Sequence, residues 1–76
     1  MNAERALHLA TAQERLERAG WHFESMWCRS TGKFWAQCVH TRTRKVYSCN
    51  RPSRADALAQ VLQFATSEQE MASAAE

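Results

Sequence analysis

The chain has one proline and two glycines in 76 residues. That scarcity leaves no Gly-rich phosphate loop and no flexible linker of the Gly/Ser or Pro-rich kind. No apolar run approaches the roughly 18 residues that a membrane-spanning helix needs. Acid is almost missing from the middle of the chain, where Glu24 stands alone between residues 21 and 54. Paired carboxylates for general acid–base chemistry are therefore absent from that stretch. Cysteine is present three times, as Cys28, Cys38 and Cys49. An odd count with no short Cys-x2-4-Cys chelate argues against both a disulfide framework and a structural zinc site. The opening MNAERALHLA carries charge inside its apolar stretch, unlike a signal peptide, and the chain is expected to be cytoplasmic.

What is present suits one small folded domain. Apolar residues make up 45% and charged residues 24%, too apolar for disorder. A chain of this length buries only about 60% of the surface that its unfolded form exposes, which disfavours a deep cofactor cleft. The net charge of +2 conceals an uneven map. Residues 1–20 balance. Residues 21–54 carry Arg29, Lys33, Arg42, Arg44, Lys45, Arg51 and Arg54 against Glu24. Residues 55–76 carry Asp56, Glu68, Glu70 and Glu76 with no base. The basic middle also holds six of the seven aromatic residues, all but Phe64. Cations interleaved with rings mark either nucleic-acid binding or hairpin tips on a sheet with an aromatic core, and the second reading is preferred.

Residues 2–19 are rich in helix formers, with Asn2 placed to cap the start and Gly20 to end the helix. Leu9, Ala12, Leu16 and Ala19 form a narrow stripe flanked by Arg5 and His8, while Leu7 points away. Three strands are predicted over 21–28, 34–40 and 45–49, joined by turns at 29–33 and 41–44. The first turn centres on Gly32; the second has no glycine, so its type stays open. Such short connections force an antiparallel meander. Asn50, Arg51 and Pro52 are expected to break the third strand. Ser53-Arg54-Ala55-Asp56 then reads as a capping box opening a helix with Leu58, Val61, Leu62 and Ala65 on one face. The fold class is α+β, in the order α-β-β-β-α, with two helices on one face of a three-stranded antiparallel sheet. One domain spans 1–70, and 71–76 forms a frayed tail.

Strand alternation does not identify a polar face. Trp21, Phe23, Ser25 and Trp27 share one side of the first strand. Phe34 and Trp35 fall on opposite sides of the second. Phe23 and Trp27 are expected under the helices; whether Phe34 or Trp35 joins them is open, since a shift of one residue swaps the faces. Either answer leaves large apolar side chains on the uncovered side, and such a patch marks an interaction site. The candidate partner-binding residues are Trp27, Trp35, Tyr47, Arg29, Lys33, Arg42, Arg44, Lys45, Arg51 and Arg54. Cys38 and His40 are weighed as a nucleophile pair, but no oxyanion site or thiolate-stabilising surroundings accompany them. His22 and His40 are weighed as facing each other across strands. The chain is read as not an enzyme, with no catalytic residue, no metal and no cofactor.

Two resemblances bear on this reading. From Gly32 to Leu62 the chain resembles the HicB-type antitoxin module, through Gly32, Phe34 and Ala36 and then Ser53, Ala57 and Leu58. The likeness covers under half the chain, and the leading helix is foreign to that pattern. The element order resembles the double-stranded-RNA-binding domain. That family grips RNA with its first helix, a Gly-Pro-x-His loop between the first two strands and lysines opening the last helix. Here the loop is Arg29-Ser30-Thr31-Gly32-Lys33, and the last helix opens with Arg54 and Asp56. The resemblance implies the fold and does not carry the RNA-binding motifs. The expected function is that of a small non-catalytic regulator or inhibitor of a protein or nucleoprotein partner, of the kind phages carry against host defence complexes. It would dock through an aromatic sheet face and basic hairpin tips, with a homodimer through that face as a further expectation. The alternative is a nucleic-acid-binding module using residues 29–54. No membrane partner is expected.

Overall fold

The structure, a computed structural model, describes residues 3–74, with side chains described over 11–72. Helix α1 spans Ala3–Arg18 and helix α2 spans Arg54–Ala74. Strands β1 (Trp21–Cys28), β2 (Lys33–His40) and β3 (Val46–Arg51) lie between them and form one antiparallel sheet in the order β1-β2-β3. The expected α+β architecture is thus present. Asn2 and the side chains of Arg5, Leu7, His8 and Leu9 lie outside the described residues. Among the described residues, no helix is long and apolar enough to cross a membrane.

Gly20 ends α1 as the sequence indicates. Its φ is +106°, and its N–H donates to Glu17 O at 3.1 Å. A Cβ there would meet His40 Nε2 at 3.1 Å. Glycine is therefore needed for both conformation and space. At the other helix, Ser53 Oγ accepts from Asp56 N–H at 3.1 Å, the predicted N-cap bond.

Several boundaries differ from expectation: α1 ends at Arg18 rather than residue 19, and β3 begins at Val46 rather than residue 45. β3 continues through Asn50 and Arg51, which pair with Trp35 and Phe34, instead of breaking at Asn50. The missing N–H of Pro52 halts the ladder only afterwards. β2 begins one residue early, at Lys33. Residues 71–74 are helical rather than frayed, and 75–76 lie outside the described residues.

The register Trp27↔Phe34 and Met26↔Trp35 settles the faces. Trp21, Phe23, Ser25, Trp27, Phe34, Ala36, Cys38, His40, Tyr47 and Cys49 share the helix side. His22, Glu24, Met26, Cys28, Trp35, Gln37, Val39, Val46, Ser48 and Asn50 share the open side. His22 and His40 therefore lie on opposite faces, and the expectation that they face each other is corrected. Phe34, not Trp35, joins the helix side.

The core is Leu16, Trp21, Ala36, Cys38, Ala57, Val61, Leu62 and Ala65. Alanines at 36, 57 and 65 are fully buried, so α2 comes close to the central strand where a larger side chain would hold it off. Rings fill the end beyond them. Tyr47 stacks on Phe64 at 4.5 Å, and Phe64 meets Trp21 edge-on at 6.3 Å. Trp21 meets His40 edge-on at 5.0 Å, and its indole N–H donates to Gln69 Oε1 at 3.3 Å.

Candidate functional site

The seven cations of residues 29–54 do not form one patch. Consecutive hairpin tips point to opposite ends of the sheet, so the meander divides them. One end holds Arg29 and Lys33, beside the pair Cys28↔Lys33, and also Arg51, opposite Phe34. Arg54 joins them at the start of α2, its guanidinium 5.4 Å from the Phe34 ring centroid. The other end holds Arg42, Arg44 and Lys45 in the β2–β3 turn. The eight residues of β2 separate the two ends by about 24 Å.

The carboxylates of α2 are divided as well. Lys45 Nζ lies 2.6 Å from Glu68 Oε2, and Glu70 lines a groove with Arg15 and Ala19. Both acids thus sit at the Lys45 end. At the Arg29 end the carboxylate of α2 is that of Asp56, which lines a groove with Arg51, and the helix N-terminus adds its own partial positive charge. Gln60 extends the arrangement: it accepts from Arg51 Nε and donates to the Tyr47 hydroxyl. Sequence reasoning missed Gln60, and its signal is the single polar residue within the apolar run Ala57–Leu62.

The three aromatic candidates fall apart. Tyr47 packs on the helix side against Phe64 and is a packing residue, because its pairing with Cys38 turns it toward α2. Trp27 is on the same side yet 53% exposed, beyond the shelter of the helices. Trp35 is half-buried on the open side between Met26 and Asn50. The single aromatic docking face expected from the sequence is therefore replaced by a mixed open face. Trp35, Met26, Val39 and Val46 alternate there with Glu24, Gln37, Ser48 and Asn50.

The Cys38–His40 pair does not have the geometry of an activated nucleophile. Cys38 has no exposed surface, and burial pushes its thiol up to about 11, away from the thiolate. Burial also raises Cys49, which donates to Ala57 O at 3.5 Å. His40 Nδ1 accepts from the backbone N–H groups of Arg42 and Thr43, each at 3.2 Å. Its Nε2 is therefore the N–H that donates to Ala19 O, at 3.1 Å. Both nitrogens hold backbone together: one clasps the β2–β3 turn and the other the end of α1. Among the described residues, no three His, Cys, Asp or Glu side chains come together as a metal ion would require.

No family model, curated protein or solved structure matches this chain.

Proposed function

We propose that this is a non-catalytic nucleic-acid-binding protein that holds a phosphate backbone at the Arg29–Lys33–Arg51–Arg54 end of the sheet. The observation that supports this reading is the separation of charge by the fold. In sequence the acidic C-terminal segment opposes a polyanion ligand. In space Glu68 and Glu70 lie at the far end, and Glu68 is paired with Lys45. Four cations share the near end on short, well-anchored elements, Arg51 and Arg54 on the helix side and Lys33 on the open side: a tight hairpin with Arg29 at its tip, the end of β3 and the first turn of α2. Guanidinium groups suit phosphate oxygens through their planar donor forks.

The test is the salt dependence of binding to generic duplex and single-stranded oligonucleotides. Neutralising four phosphates costs roughly a hundredfold in affinity between about 50 and 200 mM salt. Absence of binding at the lower salt would overturn the reading. A second reading, a protein partner on the open face, is favoured by the exposure of Met26 and Val46, 55% and 57%. A regulator or inhibitor acting by occupancy fits either ligand.

A further inference from the structure

Strand β1 is an edge of the sheet, and its two halves differ. Trp21 is buried and Phe23 half-buried, beside Leu16 of α1 in the core. Glu24, Ser25, Met26 and Trp27 are all exposed, four consecutive residues of a regular strand. The ladder to β2 is unbroken from Trp21 to Cys28, so no bulge twists this edge away. It contains no proline and no lysine, the usual guards of a free edge. The opposite edge, β3, is guarded by Lys45, Arg51 and Pro52.

We propose that β1 pairs antiparallel with β1 of a second copy of this chain, about a two-fold axis through Ser25, to give a continuous six-stranded sheet. A residue-centred axis keeps the helices of both copies on the same side, because residues directly opposite in an antiparallel pair point to the same face. With Ser25 on the axis, Phe23 of each copy opposes Trp27 of the other, giving two aromatic cross-strand pairs. Glu24 opposes Met26, so no charge meets its like. Moving the axis to Glu24 would set two carboxylates against each other. The small Ser25 side chain lets the helix-side rows close at the centre. The occupant is a second copy because antiparallel pairing brings the covered half of one β1 beside the bare half of the other. The α1 of each copy, seated at the Trp21 end of its own strand, then shelters the Trp27 of its neighbour. This is independent of the nucleic-acid reading, which places its contacts on Arg29, Lys33, Arg51 and Arg54.

Sedimentation equilibrium of the full chain from micromolar to millimolar concentration tests the proposal, together with two variants at Ser25. The wild type is expected to reach twice the chain mass. Ser25→Lys, at an exposed position, is expected to keep the circular dichroism spectrum and sediment as a monomer, since two ammonium groups would meet at the axis. Ser25→Cys under oxidised glutathione is expected to form a covalent dimer. The native Cys28 is not, because the axis leaves its two copies about 20 Å apart. A wild type that stays monomeric throughout, a Ser25→Lys variant that still dimerises, or a Ser25→Cys variant that does not cross-link would each overturn it. If Ser25→Lys fails to fold, the cross-link decides.

Discussion

Arg44 occupies in the β2–β3 turn the position that Gly32 occupies in the β1–β2 turn. Gly32 N–H donates to Cys28 O at 2.9 Å, and Arg44 N–H donates to His40 O at 2.9 Å. Both residues are left-handed, with φ of +68° and +66°. Both follow a threonine whose hydroxyl accepts from the N–H of the next lysine: Thr31 from Lys33 at 3.3 Å, Thr43 from Lys45 at 3.4 Å. The chain thus uses one four-residue turn twice, once with the residue that suits it and once with a residue under strain.

Replacing Arg44→Gly should therefore stabilise the protein, by about 0.5–1 kcal/mol, once the strain relieved is set against the entropy of the unfolded glycine. The reciprocal Gly32→Ala change should destabilise it by about 1 kcal/mol, although a Cβ there meets nothing within 4 Å. Urea unfolding of both variants checks the pair. Opposite signs are the expected outcome.

Gly20→Ala combines strain with a collision. The new methyl group would press on the imidazole nitrogen that holds Ala19 O. A loss of about 2–3 kcal/mol is expected, more than at Gly32. Denaturant titration measures it. In the wild type, nitrogen chemical shifts of His40 should show the proton on Nε2.

The buried thiol gives stability a pH dependence. Cys38 stands near 11 in the folded chain against 9.0 for an unperturbed cysteine, because burial disfavours the thiolate. Between those values the native state keeps a proton that the unfolded chain releases. This contribution is thus whole below pH 9 and is lost as pH rises toward 11. Its size is on the order of 2 kcal/mol. Comparing unfolding free energies near pH 8 and pH 10.5 should show the fall, and Cys38→Ala should reduce it, leaving the part that belongs to Cys49.

Trp21 and Trp35 should respond differently to truncation. Trp21→Ala removes a ring buried against His40 and Phe64 and should cost about 3–5 kcal/mol. Trp35→Ala removes a half-buried ring from the open face and should cost about 1–2 kcal/mol. Thermal and chemical unfolding of the two variants make the comparison. Equal losses would place Trp35 in the core.

The helices and their ends were legible because glycine and serine act locally: Gly20 supplies a positive φ, and Ser53 caps with its own hydroxyl. The strands were legible from their rings. Which face Trp35 takes was not, because both faces of β1 and β2 carry apolar residues and only the register decides. The repeat of Thr-Gly-Lys as Thr-Arg-Lys signals the second turn, but an arginine in place of glycine hides it. The extension of β3 was missed because Asn50 is a poor strand former and Pro52 follows closely, while pairing gives Asn50 and Arg51 Trp35 and Phe34 as neighbours. The placing of the cations at hairpin tips was legible in the sequence, and their division between two ends follows from topology: consecutive tips of a meander are carried to alternate ends.

The most direct test of the basic end compares two paired neutralisations for binding to one oligonucleotide across a salt series. Arg51→Gln with Arg54→Gln should weaken binding and reduce the slope of log affinity against log salt by about two. Arg42→Gln with Arg44→Gln removes the same charge from the other end and should leave that slope nearly unchanged. Equal losses from both pairs, or a larger loss from the second, would contradict the account.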